Sequence, residues 1–164
     1  MTTAVGSSTT KGASALATGN DFFCKIVRGE IPGRKLVTEN ETTFGTLDGY
    51  PVGRGHTLIV PKRHVASFFE TTEQERDDIF RGLFEARQVI ERQLEKHEYP
   101  KPDGYNIGIN DGRAAGRTVD HLHVHLIPRY DGDMKDPKGG VRGVIPERQS
   151  YSGPPDESVN DLLL

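Results

Sequence analysis

The spacing of apolar residues predicts one long amphipathic helix between about residues 73 and 97. The apolar positions recur at helical spacing and are expected to share one face; they are Ile79, Leu83, Phe84, Ile90 and Leu94. Thr72 followed by Glu75 is typical of a capping box, which indicates where the helix begins. Pro100 indicates that it has ended. Since charged residues occupy the opposite face, we expect this helix to cover one side of a sheet.

Shorter apolar segments predict the remaining elements. A helical turn is expected from Phe22 to Val27, because Gly29 and Pro32 follow it. β-Prone segments bounded by turn residues predict strands, which we expect at residues 36–39, 43–47, 56–60, 105–109 and 119–127. The first three of these segments are typical of an antiparallel meander.

Both ends of the chain differ in composition from its middle. Residues 1–20 are rich in Ser, Thr, Ala and Gly, and they cannot bury enough apolar surface to offset their ordering entropy. We therefore expect a disordered N-terminal tail at 1–20, a folded domain at 21–130 and an extended C-terminal extension at 131–164. Three apolar residues are the expected docking points of that extension: Val141, Val144 and Ile145.

Length and charge exclude several classes of protein. The 164 residues suffice for one domain, and the formal charge of -3 offers no general attraction to nucleic acid or to an anionic membrane. The single cysteine excludes an intrachain disulfide and implies no oxidising compartment. No apolar run approaches the roughly 18 residues of a membrane span, and residues 1–20 lack the continuous apolar stretch that is typical of a secretory signal. We therefore expect a cytoplasmic protein that binds neither membranes nor specific nucleic acid.

Three histidines alternate with apolar residues near position 123. Because alternate side chains of a strand face opposite ways, the apolar residues should share one face and the histidines the other. The two sets are Leu122, Val124 and Leu126, and His121, His123 and His125. An imidazole can be a nucleophile or a proton donor near pH 7. A lone histidine is usually a core residue, but a core does not require three in strict alternation.

A glycine-rich loop precedes this row. Gly108, Gly112 and Gly116 allow backbone amides to turn towards an anion. Side-chain donors surround them: Asn110, Arg113, Arg117 and Thr118. Histidines beside such a loop favour phosphoryl or nucleotidyl transfer. The chemical alternative is a metal site, because two histidines and a third ligand can hold zinc. The conceivable further ligands have no diagnostic spacing; they are His56, His64, Asp120 and Cys24.

The segment from Asn110 through GRAAGRTVDHLHVHLIPR resembles the signature of the histidine triad (HIT) superfamily. The resemblance extends upstream through FFCKIVRGEIP, TLDGYPVGRGHTLIVPKRHV and DGYNIGINDG. It implies an α+β, HIT-like fold with a five-stranded antiparallel sheet, one long helix and one short helix. It also implies a homodimer in which central helices and sheets pack together.

The resemblance further implies a role for each matching residue. His123 would attack the α-phosphorus of an adenine-type nucleotide and pass the nucleotidyl group to water. His125 would donate to the α-phosphate, while His121 and His56 would complete a hydrogen-bonded row that orients His123. The implied binding residues are Asn110, Gly116 and Thr118 for the phosphate and leaving group, Asp48 for the ribose, and Phe23 and Ile26 for the base.

Three departures from the family bear on the substrate and on metals. Arg117 stands where many relatives carry Gln, so its charge either meets a polyphosphate or points away. Asp21 stands where some bacterial relatives have the first cysteine of a Cys-x-x-Cys zinc site, which leaves Cys24 alone, so no metal is expected. The Trp-containing C-terminus of the phosphoramidase branch is absent.

We therefore expect a hydrolase of dinucleoside polyphosphates that acts through a nucleotidyl-histidine. A nucleoside phosphoramidase and a non-catalytic nucleotide-binding regulatory protein are the alternatives. The expected chemistry requires no cofactor, although a divalent cation can accompany a polyphosphate substrate.

Overall fold

The structure is a computed structural model that describes residues 17–150. Two compact units divide between Asp133 and Met134. The first unit contains the helices and strands α1 (Phe22–Val27), β1 (Leu36–Glu39), β2 (Thr43–Leu47), β3 (Thr57–Pro61), α2 (Glu73–Lys96), β4 (Gly104–Gly108) and β5 (Val124–Arg129). No helix among the described residues is long and apolar enough to cross a lipid bilayer.

The five strands form one antiparallel sheet in the order β1-β2-β3-β5-β4. This confirms the expected α+β fold with one long and one short helix. The pairings Leu47 with Thr57, Leu58 with His125, and His125 with Gly108 bring four strand ends together. The loops at this end of the sheet carry most of the predicted site residues.

Helix α2 begins with the predicted capping box, in which Thr72 and Glu75 each bond the other's backbone amide. Its buried face packs on the sheet, and the resulting core contains Ile59, Ile79, Leu83, Ala86, Ile90, Leu94, Leu122, Val124 and Leu126. The placement of Phe84 on that face was wrong, because its side chain is 69% exposed. Consecutive residues of a helix are rotated by about 100° from each other, so Phe84 lies beside the buried stripe that contains Leu83.

Strand β5 begins at Val124, later than the predicted position 119. In the register of β3 and β5, Leu122 would face Pro61. Proline has no N–H to donate, so the ladder cannot continue there. Leu122 N instead donates to Val65 O at 2.7 Å. His121 and His123 therefore precede the strand, although Leu122, Val124 and Leu126 are buried as the alternation predicts.

The predicted terminal segments are only partly described. Of the expected N-terminal tail, residues 1–16 lie outside the described residues, whereas Ala17 is buried and Arg28 donates to Ala17 O and Gly19 O. In the C-terminal extension, two 3-10 turns replace the expected extended chain. Its three predicted docking residues are exposed: Val141, Val144 and Ile145. Residues 151–164 lie outside the described residues.

Candidate active site

A cavity of about 700 Å³ opens at the end of the sheet where the loops converge. Seven predicted site residues line it: Phe23, Asp48, Asn110, Gly116, Thr118, His123 and His125. Six residues that were not predicted also line it: Phe22, Arg34, Gly49, Tyr50, Leu58 and Val119. Four predicted residues lie outside this lining: Ile26, His56, Arg117 and His121. The cavity is large enough for a small ligand.

The ring of His123 is oriented by a backbone carbonyl. Its Nδ1 lies 2.8 Å from His121 O. Because a carbonyl oxygen only accepts hydrogen bonds, Nδ1 carries the proton and Nε2 of the neutral ring carries the lone pair. The ring also packs against Phe23, with centroids 5.4 Å apart, and against His125, with centroids 5.1 Å apart. The ring of His123 is thereby held in the cavity wall, and its Nε2 lone pair is chemically able to act as a nucleophile.

A second chain of hydrogen bonds fixes the proton of His125. The backbone N–H of Val52 donates to His56 Nδ1 at 3.2 Å, so the proton of neutral His56 is on Nε2. That Nε2–H donates to His125 Nδ1 at 3.0 Å. His125 therefore carries its own proton on Nε2, which is buried and has no hydrogen-bond partner within residues 17–150. The cavity wall thus presents one unused donor beside His123.

Burial keeps His125 and His56 neutral at pH 7. Burial, reinforced by the neighbouring His123 and His56, lowers the pKa of His125 to about 4. Burial also lowers the pKa of His56, although the Asp48 carboxylate, 3.5 Å from its Nδ1, opposes this effect. The neutral forms are those that the hydrogen bonds require.

His121 acts on His123 through its carbonyl, not through its ring. The His121 ring is fully buried, and its Nε2 donates to Pro61 O at 2.9 Å. The structure also places His56 against His125 rather than against His123. The predicted row of four histidines is therefore replaced by two separate contacts. His121 contacts His123 through its carbonyl, and His56 contacts His125 through its ring.

The Nδ1 of His121 belongs to a second polar cluster, which is formed by Asp21, Cys24, His64 and His121. Cys24 Sγ lies 3.5 Å from Nδ1 of each histidine, and Asp21 carboxylate oxygens lie 3.1 Å from the same two nitrogens. One ligand atom from each residue falls within 4.8 Å of the others. Tetrahedral zinc, with bonds of about 2.0–2.3 Å, needs ligand atoms about 3.3–3.8 Å apart. These four residues could hold such an ion.

Electrostatics within this cluster match a cation site. Although burial opposes it, hydrogen bonds from the thiol and the backbone amide of Cys24 hold the pKa of Asp21 at about 2. Burial, reinforced by the Asp21 carboxylate, raises the pKa of the Cys24 thiol to about 11. The spacing of Cys24 and His64 in the sequence does not mark them as neighbours; they meet because α1 and the segments around positions 64 and 121 fold together here.

Another possible set of metal ligands lies at the cavity. Asp48, His56 and His125 also bring three ligand atoms within 4.8 Å of one another. The nitrogens that face one another there are already engaged, since Val52 N–H donates to His56 and His56 donates to His125. This set is therefore better explained as a hydrogen-bonded chain.

Arg117 points away from the cavity. Its guanidinium donates to Ala66 O at 3.0 Å and lies 3.1 Å from Asp120 and 4.0 Å from Asp111. Asp111 in turn accepts from the Phe68 amide and the Ser67 hydroxyl. The sequence left open whether the Arg117 charge meets a polyphosphate or points away. In the structure, Arg117 points away from the cavity. The loop is thus tied to the segment between β3 and α2.

Two remaining predicted residues shape the cavity differently. Gly116 has φ of 92°, a left-handed conformation that glycine adopts without strain, so the loop can turn beside Asn110. Ile26 packs in a small core with Phe23, Phe44, Leu58 and Val60. It therefore supports the wall at Phe23 from behind.

Arg34, Phe22 and Tyr50 were missed because nothing in their spacing marks them. Arg34 reaches the cavity only because β1 pairs with β2, which brings its guanidinium to Thr46 and Leu47. For Phe22, the one feature of the sequence that could have indicated a place in the cavity wall is its position next to Phe23, a predicted wall residue.

Comparison with known proteins agrees with this geometry. The sequence model of the HIT domain matches residues 28–132. An uncharacterised HIT-like protein of Methanocaldococcus jannaschii is 44% identical over 73% of this chain and 86% of its own length. The adenosine 5'-monophosphoramidase of Candida albicans is 39% identical over 67% of this chain and 70% of its own. A crystal structure of a Zn-bound histidine triad family protein from Mycobacterium smegmatis superposes with a TM-score of 0.53 and 38% identity, over 70% of this chain and 78% of that one. The chain therefore belongs to the histidine triad family of HIT-domain proteins.

Proposed function

We propose that this protein hydrolyses nucleotides at the α-phosphorus through a nucleotidyl group carried on His123. The observation that supports this most directly is the pairing of a lone pair on His123 Nε2 with an unused donor on His125 Nε2 in one cavity wall. A nucleophile beside a fixed donor is the arrangement that a two-step transfer requires.

In the first step, His123 Nε2 forms a bond to phosphorus while the bond to the leaving group breaks. The positive charge that develops on the ring is stabilised because Nδ1–H already donates to His121 O. His125 Nε2–H donates to the oxygen or nitrogen on which negative charge accumulates. The leaving group takes up one proton from the solvent as it departs in the first step. In the second step, water attacks phosphorus and His123 departs neutral; one proton of that water is released, which restores the proton taken up earlier, and the other stays on the product phosphate.

The remaining cavity residues bind the substrate in this scheme. Asn110, Gly116 and Thr118 line the same cavity as the two histidines and supply donors to phosphate oxygens. Asp48 accepts from ribose hydroxyls, and Phe23 packs against the base. Each role uses the chemistry that the side chain or backbone offers at its observed position.

We propose nucleoside phosphoramidates, with a phosphorus–nitrogen bond, as the preferred substrates. The Candida albicans relative named adenosine 5'-monophosphoramidase supports this choice. Arg117, the expected reason for a polyphosphate preference, is engaged by Ala66 and Asp120. Dinucleoside polyphosphates are the second candidate, because Tyr50, 92% exposed on the cavity wall, offers an aromatic surface for a second base.

Turnover of adenosine phosphoramidate and of a diadenosine polyphosphate, together with intact-protein mass spectrometry after brief mixing, tests this proposal. We expect His123→Ala to lower kcat by more than about 1,000-fold and to abolish the nucleotidyl adduct. His97→Ala, at the exposed end of α2, is the control. Unchanged turnover in His123→Ala would refute the mechanism, and nucleotide binding without turnover or adduct in the wild type would identify a regulatory binder.

We also propose that the cluster of Asp21, Cys24, His64 and His121 binds a structural zinc ion. The convergent ligand atoms support this, as does the Zn-bound relative from Mycobacterium smegmatis. Pro61 O holds the His121 Nε2–H, which leaves Nδ1 as the ligand atom. Bound zinc would tie the start of α1 to the residue whose carbonyl orients His123.

Finally, we propose that the protein is a homodimer. Helix α2 exposes Phe80 and Phe84, which are 56% and 69% accessible, and the edge strand β4 exposes Ile107 at 50%. Exposed apolar groups of this kind mark interaction surfaces. A dimer through α2 and β4 would cover them and agrees with the assembly that the family resemblance implies.

A further inference from the structure

Arg34 is a charged residue in the cavity wall for which the proposed mechanism has no use. Its Nε donates to Thr46 Oγ1 at 2.7 Å and a second nitrogen donates to Leu47 O. Its guanidinium also lies 5.4 Å from the ring centroid of Phe22. The side chain is thus held in place before any ligand binds, and its third nitrogen makes no hydrogen bond within residues 17–150.

The strand order places Arg34 far from the reacting phosphorus. His125 is on β5, His56 precedes β3, Asp48 follows β2 and Arg34 precedes β1, all at the same end of the sheet. Neighbouring strands lie about 4.8 Å apart, so β1 is about 14 Å from β5. This span is comparable to the extended length of a nucleoside monophosphate. With phosphate at His123 and ribose at Asp48, the base therefore reaches Arg34.

A guanidinium group offers only hydrogen-bond donors. The base edge that it fits best presents two adjacent acceptors, as guanine does with O6 and N7. Adenine presents N7 beside an amino group, and that amino group is itself a donor. We infer that Arg34 is a specificity-determining residue that makes the cavity bind 6-oxopurine nucleotides more tightly than 6-aminopurine nucleotides.

This inference rests on the proposed nucleotide site and names the bases that the site prefers. Adenine nucleotides still enter, because Phe22 and Phe23 contact any base face, but they lose one hydrogen bond at the edge. The expected adenine-type substrate is therefore accepted without being favoured. Hypoxanthine has the 6-oxo group without the 2-amino group of guanine, so it isolates the contact with Arg34.

Calorimetric titration of the full chain with GMP, IMP and AMP measures this preference independently of catalysis. We expect GMP and IMP to bind about tenfold more tightly than AMP, as a bidentate arginine contact would require. Arg34→Met keeps much of the aliphatic stem and should bring GMP and IMP to the affinity of AMP. Arg34→Lys should retain only part of the preference, because its ammonium lacks the fork geometry. Lys35→Met, an exposed neighbour, controls for the loss of one charge.

Equal affinity of the wild type for the three nucleotides would overturn the inference. Weakening of all three by the same factor in Arg34→Met would also overturn it, since that pattern indicates a contact with phosphate or ribose. A base preference that disappears in Arg34→Met, in a protein that hydrolyses nothing, would sustain the inference and refute the proposed hydrolase. Failure to bind any of the three would refute both.

Discussion

Single backbone groups determine which nitrogen of each active-site histidine carries the proton. The Val52 amide donates to His56 Nδ1, and the His121 carbonyl accepts from His123 Nδ1. One contact leaves a donor on His125 Nε2 and the other leaves a lone pair on His123 Nε2. The two rings thus differ in what they can offer a ligand, and neither is ion-paired with a charged residue within positions 17–150.

His56 should affect catalysis through the ring of His125. Removal of its side chain in His56→Ala leaves His125 Nδ1 without its donor, so we expect kcat to fall by about 100-fold, comparable to loss of one transition-state donor, with little change in KM. His56→Gln should retain more activity, because its amide can donate to the same nitrogen. Steady-state assays of both variants check this. Equal kcat for His56→Ala and the wild type would contradict the tautomer assignment.

Acid should destabilise the fold through the same residues. The pKa of His125 falls from its ordinary value of 6.5 to about 4 on folding, and that of His56 is lowered in the same direction. Between these values the unfolded chain binds protons that the folded chain excludes. Stability is therefore complete above about pH 6.5 and decreases as the pH falls towards 4. Urea unfolding across this range should show a shallower loss in His125→Gln than in the wild type, and parallel curves would contradict the prediction.

The identities of these residues could be predicted from the sequence, but their proton positions could not. The alternation of His121, His123 and His125 with apolar neighbours is visible in one strand-like segment. The tautomers depend on Val52 and Pro61, which approach only after the turn before β3 and the end of that strand have formed. A pattern of side chains carries no information about such backbone contacts.

At the scale of elements, the loop between β4 and β5 is fixed by Arg117. Its contacts with Ala66, Asp111 and Asp120 join both ends of the loop to the segment after β3. The donors Asn110, Gly116 and Thr118 lie within or beside the clamped loop. Arg117 should therefore act as a positioning residue rather than as a ligand to phosphate.

Arg117→Gln should lower kcat/KM by the same factor for a phosphoramidate and for a long dinucleoside polyphosphate. We expect this factor to be about ten, because several donors shift slightly and none is removed. Parallel assays of the two substrates measure it, with the exposed Arg113→Gln of the same loop as the control. A loss confined to the polyphosphate would instead place the guanidinium on that substrate.

The cluster of Asp21, Cys24, His64 and His121, for which we propose a bound zinc ion, joins α1 to the segment that precedes β5. We expect the purified protein to contain about one zinc per chain, held as in other four-coordinate structural sites, and chelation to lower the melting temperature. Cys24→Ala should lose the metal, while Asp21→Cys should bind it more tightly because a second thiolate is a softer ligand. Elemental analysis and thermal melts measure both effects. If both Cys24→Ala and the wild type contained only the same trace amount of zinc per chain, this result would contradict the assignment.

For the molecule as a whole, the sequence patterns predicted the strand segments and the long helix, whereas the resemblance supplied the five-stranded sheet. The sequence patterns failed to predict features that depend on how two elements pack against each other. Phe84 is apolar like the buried stripe of α2, yet its angular position puts it outside. Similarly, His64 and His121 are far in sequence from Asp21 and Cys24, and the four residues converge only after α1 docks.

The exposed stripe of α2 gives the final prediction, which concerns assembly. Phe80 and Phe84 lie one helical turn apart and belong to neither core cluster of residues 17–150, so charge there should leave the fold intact. We expect light scattering to show twice the mass of one chain for the wild type and a single-chain mass for Phe80→Glu/Phe84→Glu. Phe69→Glu, at an aromatic residue that is 87% exposed and lies outside α2 and β4, should remain dimeric. A double variant that keeps the dimer mass would place the interface elsewhere, while a monomeric wild type would leave these apolar side chains in water and refute the dimer.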